Sequence, residues 1–142
     1  MGLKSIIKQN RVSEVAFDEK FGVFFQLEFL HKSELQKITA LYTKKAINPH
    51  TRQMEDDLDF EKMKKVIFER CVKGWKGMTY RWLATKVPLD LSSVNPDEEY
   101  PFSQENLAEL VEIMYGLDSW IFDSIKDAAN FQDEIEKAEI KN

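Results

Sequence analysis

The segment Val23-Phe24-Phe25-Gln26-Leu27-Glu28-Phe29-Leu30 sets the first condition on any fold this chain adopts. Phe25, Leu27 and Phe29 alternate with Gln26 and Glu28. That period of two, rich in aromatics, predicts a strand with one face buried and one solvated. Upstream, Val12, Val15 and Phe17 are bounded by the turn-like Asp18-Glu19-Lys20-Phe21-Gly22, so a β-hairpin is expected over about 11–30. A lone hairpin is marginal in water and must pack on helices or add to a partner's sheet.

Helical signals dominate the remainder. Ser33 stands at an N-cap position before Leu35, Ile38, Leu41 and Tyr42, which predicts a helix over 33–47. Asn48-Pro49 ends it, because proline disfavours helical geometry in the residue before it. Residues 50–58 read as a polar connection. Asp59 caps a second helix, 59–73, with Phe60, Met63, Val66, Ile67 and Cys71 on one face. Gly74 and Gly77 flank Trp75 where this helix should stop. Tyr80, Trp82 and Leu83 suit a short helix, and Pro88, Pro96 and Pro101 break 84–102 into a loop. Ser103 caps a third helix, 103–115, striped by Leu107, Leu110, Val111 and Met114, and Gly116 ends it. A fourth helix, 118–136, carries Trp120, Ile121, Ile125, Ala128, Ala129 and Ile135, and Glu134 to Asn142 are expected to fray. The expected fold is one mainly α domain over 1–142, a hairpin followed by about four helices in a small bundle.

Charge and composition narrow the function classes. No apolar run is long enough to span a membrane. The start, Met1-Gly2-Leu3-Lys4-Ser5-Ile6, lacks a signal-peptide centre, and Ile6 stands where myristoylation wants Ser or Thr. Cys71 is the sole cysteine, which suits a reducing compartment, so a cytoplasmic location is expected. The net charge of −5 is uneven. Residues 62–86 carry Lys62, Lys64, Lys65, Arg70, Lys73, Lys76, Arg81 and Lys86 against Glu69 alone, whereas 97–142 is strongly acidic. The acidic part would repel phosphate, and no nucleic-acid motif accompanies the lysines, so nucleic acid is not an expected partner. A solvated helix face or charge pairing between copies accounts for the basic run.

Residues that might carry chemistry are sparse. His31 and His50 lack companion metal ligands at useful spacing. Cys71 lies on an apolar helix face, where a thiol is inert. Asp56, Asp57 and Asp59 resemble part of a cation loop but lack its glycine and terminal glutamate. Neither an enzyme, a cofactor nor a metal is expected. The aromatics are the remaining lead. Trp75 and Trp120 suit a helical core, whereas Tyr80 and Trp82, beside Arg81 and a proline-rich loop, match the composition of interface hot spots.

In order, the chain presents a hairpin, a polar helix opening Ser33-Glu34-Leu35, a helix ending Val72-Lys73-Gly74-Trp75-Lys76-Gly77, and a helix start Pro101-Phe102-Ser103-Gln104-Glu105-Asn106-Leu107. Over roughly 20–128 this order resembles the tail assembly chaperones of long-tailed bacteriophages and prophages. Residues 78–99 depart from it, since family members run quickly from the tryptophan to Pro-Phe-Ser. The resemblance implies a protein that coats the long helical tape measure protein, keeps it soluble and assists tail tube assembly. It implies client contact at Trp75, Tyr80, Trp82 and Phe102, with Lys62, Lys65 and Arg81 meeting acidic C-terminal residues of a neighbouring copy. A minor structural tail protein and a generic helical adaptor are the alternative readings.

Overall fold

The structure is a computed structural model that describes residues 2–8 and 11–132. The expected hairpin forms: β1 (Val12–Asp18) pairs antiparallel with β2 (Val23–Glu28), Val15 opposite Phe25, with a bulge between Ala16 and Asp18. Val23, Phe25 and Leu27 are buried and Gln26 is exposed, as the period of two requires. Glu28 departs from that pattern. Expected in solvent, it is 7% exposed and lies 3.4 Å from Arg70 Nε.

The expected helical bundle is wrong: the fold is α+β. Two of the four expected helices end early and hand their last residues to strands. The first, α1, covers only Lys32–Leu41; Thr43–Ile47 form β3, paired antiparallel with β4 (Met54–Leu58) as a separate two-stranded sheet. The apolar stripe stops at Tyr42, and the next residues find better partners across the turn. Lys45 pairs with Asp56, and Lys44 stands opposite Asp57. Asn48-Pro49, read as a helix stop, is instead the hairpin turn. Asn48 Oδ1 accepts from the backbone N–H of His50 at 2.8 Å and of Thr51 at 3.3 Å.

The second helix, α2 (Phe60–Cys71), starts at its expected cap, where Asp59 accepts from the Lys62 N–H. It ends before Val72, and Val72–Lys76 form β5, which adds antiparallel to β2. The glycine-tryptophan element is therefore an edge strand in the sheet order β1-β2-β5, not a helix stop. A Cβ at Gly74 would sit 2.8 Å from Oε1 of the exposed Gln26 side chain on the neighbouring strand, a flexible end that can swing aside.

Tyr80–Leu83 form the short helix α3, capped by the Thr79 hydroxyl. The stretch 84–102 doubles back on α3. Tyr80 and Arg81 donate backbone bonds to the Glu98 and Pro96 carbonyls, and Tyr100 donates to Met78. Ser103 caps α4 (Gln104–Ile113) as expected, accepting from the Asn106 N–H. The last helix, α5 (Leu117–Ile125), stops well short of 136; Asp127 caps a 3-10 turn over Ala128–Phe131, and the residues expected to fray lie outside those described.

One sheet face carries the core. Phe25, Leu27, Ile67, Met78, Leu107, Leu110, Leu117, Ile121 and Ile125 are fully buried between sheet and helices. The other face is open to solvent and mixed in character: Lys76 pairs with Glu14 at 2.9 Å and lies over the half-buried Phe24 ring, and Val12 is exposed beside them. No helix among the described residues is long and apolar enough to cross a membrane.

Candidate functional site

The tryptophans brace the interior rather than the surface. Trp75, on β5, is 7% exposed; its indole N–H donates to the Tyr100 carbonyl at 2.7 Å, and its ring stacks on Tyr100 and meets Phe102 edge-on. Trp82 is 5% exposed and donates to Asp18 Oδ2. Phe17 joins Trp82 to Trp120, and Phe25 joins Trp120 to Trp75, so one aromatic chain ties 75–102 to the sheet. Tyr80 and Phe102 are half-buried at its margin. Surface contact through Trp75 and Trp82 is closed off in this fold. Proximity to prolines misled there, because the proline-rich segment packs down on α3 and α4 and leaves only a small pocket of about 220 Å³.

Arg81, on α3, is exposed and paired with the segment that follows the helix, where its Nε donates to Asp97 Oδ1 at 2.9 Å. That bond and the guanidinium charge hold the Asp97 carboxyl below its ordinary value. His31 bonds the Lys8 carbonyl at 2.9 Å, and His50 lies exposed in the β3–β4 turn. Asp56, Asp57 and Asp59 diverge: Asp56 pairs with Lys45, Asp57 points to the opposite sheet face, and Asp59 caps α2. Cys71 is fully buried; burial, reinforced by the charge of Glu28, pushes its thiol up to about 12.

Lys62 and Lys65 are brought to a groove. It runs between α2 and α4, measures about 920 Å³, and has Phe68, Leu107 and Val111 along its floor. Lys62 and Lys65 stand exposed on the α2 rim, and Glu105 and Glu112 stand exposed on the α4 rim. Exposed Ala108, a residue too short to fill the space, keeps the floor open between the two acidic side chains. Gln104 spans the junction with β5, its side-chain amide donating to the Val72 carbonyl at 3.2 Å. Lys64, half-buried, bonds Glu61 and approaches Asp118. The groove therefore offers an apolar strip between an α2 wall of mixed sign, where Glu61 and Glu69 stand exposed among the lysines, and an acidic α4 wall.

Sequence periodicity alone did not expose this groove. Leu107, Leu110, Val111 and Met114 read as one core stripe, and only the placement of α2 splits it. Leu107, Leu110 and Met114 turn fully inward, and Val111 is left half-exposed in the gap. No family model, curated protein or solved structure matches this chain.

Proposed function

We propose that this protein is a tail assembly chaperone whose α2–α4 groove receives an amphipathic helical segment of a tape measure protein. The observation that carries the reading is the groove: an apolar floor of Phe68, Leu107 and Val111 between an α2 rim where lysines alternate with Glu61 and Glu69 and an α4 rim of glutamates. An amphipathic helix buries an apolar stripe with anchors at i, i+3, i+4 and i+7 and carries its charges on the flanks. The acidic α4 rim suits a helix that carries basic residues on that flank, and the α2 rim, with Lys62 and Lys65 among Glu61 and Glu69, takes a flank of mixed charge. The resemblance of residues 20–128 to the chaperone family supplies the identity of the client.

Within this reading the roles divide differently from a purely aromatic hot spot. Lys62 and Lys65 contact the client flank, Val111 and Ala108 meet its stripe above buried Phe68, and Trp75 and Trp82 brace the aromatic chain that ties 75–102 to the sheet. The test is affinity capture of the tagged chain from source cells after prophage induction, with bound proteins identified by mass spectrometry. A very long, helix-rich protein as the dominant partner, lost on Val111→Glu, is the expected result. Capture of finished tails, with the chain retained in them, would instead identify a structural tail component. Absence of any such partner while tails are being made would overturn the chaperone reading.

A further inference from the structure

The β3–β4 hairpin has no role in the groove, and its surface is unusual. Every residue from Pro49 to Lys62 is exposed, so β4 is bare on both faces and the hairpin stands off the body. The ladder is closed at one end by Asn48 N–H to the Gln53 carbonyl and at the other by Asp59 N–H to Tyr42. Its register, Thr43↔Leu58, Lys45↔Asp56 and Ile47↔Met54, sets those six side chains on a single face. The ion pair of Lys45 and Asp56 lies at the centre. Ile47 is 67% exposed, Met54 60% and Leu58 38% around it. A two-stranded hairpin bearing three uncovered large apolar side chains is marginal by itself in water.

We propose that this face is a self-association surface on which two copies stack hairpin against hairpin, about a two-fold axis parallel to the strands. Such an axis lays β3 of each copy over β4 of the other. Lys45 of each then faces Asp56 of the other, Ile47 covers Met54, and Thr43 covers Leu58. A two-fold axis perpendicular to the strands would set Lys45 on Lys45 and Asp56 on Asp56, and like-charge repulsion rejects it. The face is complementary to its own rotated image in both charge and apolar pattern, which makes a second copy of this chain the occupant. Six side chains per copy fall far below the roughly 20–30 a side of a standard interface. The dimer is accordingly weak, with dissociation in the micromolar-to-millimolar range. The inference is independent of the client groove, which lies on other elements.

Sedimentation velocity on the full chain over that concentration range tests it, using wild type, Lys45→Asp, Asp56→Lys and a 1:1 mixture of the two variants. Expected are a concentration-dependent monomer–dimer equilibrium for wild type and at least tenfold weaker association for either variant alone. The mixture recovers dimers holding one copy of each variant, because the two changes place opposite charges across the axis. Ile47→Ser, which keeps both charges, also weakens association, and circular dichroism of each variant shows an intact body. A wild type that stays monomeric, assemblies that grow beyond the dimer, or a mixture no better than its components would each overturn the proposal.

Discussion

The indole N–H of Trp82 donates a 2.9 Å hydrogen bond to Asp18 Oδ2, joining α3 to the end of β1. The bond pins the segment after β5 onto the first hairpin, and Phe17 packs edge-on against the same ring. Trp82→Phe keeps most of the bulk and loses a bond to a charged acceptor, so it is expected to cost about 1.5–3 kcal/mol. Trp82→Ala removes the packing too and is expected to cost about 3–5 kcal/mol. Urea unfolding followed by circular dichroism measures both. Equal losses would mean that the ring contributes little beyond its N–H.

Gly77 and Gly116 share a left-handed backbone, φ +78 in each case, but differ in surroundings. A Cβ at Gly77 would lie 2.0 Å from the Gly22 carbonyl oxygen, whereas nothing lies within 4 Å of one at Gly116. Gly116→Ala is expected to cost about 1 kcal/mol, from conformation alone. Gly77→Ala adds a backbone clash between β5 and the β1–β2 turn, and is expected to cost more than about 3 kcal/mol. Denaturant midpoints of the two variants separate the effects, and similar midpoints would refute the clash.

Burial raises the Cys71 thiol from its ordinary 9.0 to about 12. Its folded value lies above its unfolded one, so its contribution is complete below pH 9 and is lost as pH climbs toward 12. In that window the unfolded chain ionises first, and stability falls by up to about 1.4 kcal/mol per pH unit. Tyr100, pushed up to about 12 by burial and then by Glu109, acts in the same direction. Thermal melts across this range should decline, and Cys71→Val should flatten the slope. The thiol should react with an aromatic disulfide reagent only when the protein unfolds.

How much of this was legible beforehand varied with the kind of signal. Alternation in β2 from Val23 to Leu27 and the caps Asp59 and Ser103 are local, and each appears where the sequence places it. What sequence reading missed was non-local. Val72–Lys76 has the composition of a helix tail, and becomes a strand because β2 offers it an edge. Lys44 and Lys45 look helical until Asp56 and Asp57 are known to lie opposite. Among the partner-binding candidates, Lys62 and Lys65 reach the groove, whereas Trp75 and Trp82 turn inward to satisfy their N–H groups on Tyr100 and Asp18.

Arg70 bridges two carboxylates, Glu28 at 3.4 Å and Glu34, and so ties α2 to β2 and α1. Glu28 is nearly enclosed, so removing the guanidinium strands a buried charge. Arg70→Ala is expected to cost about 3 kcal/mol, and adding Glu28→Gln should return part of it. A double-mutant cycle by urea unfolding measures the coupling, and strict additivity would mean that the two side chains act separately.

The groove makes a further prediction. Ala108→Glu and Val111→Glu block the floor from a surface already half open, so each should cost less than about 1.5 kcal/mol in stability. Both should abolish client capture. Tyr115→Ser, at a fully exposed residue outside the groove, should leave capture unchanged. Loss of capture in all three variants would point to a different surface.

The sheet order β1-β2-β5 carries a consequence for synthesis. The first hairpin leaves the ribosome with one edge of β2 unsatisfied, and its third strand follows only after α1, the second hairpin and α2 have emerged. At about 5–20 residues per second that edge waits several seconds for β5. During the wait it is open to any other extended chain, including nascent copies on neighbouring ribosomes. That exposure belongs to the order of synthesis alone and leaves no trace in the finished fold.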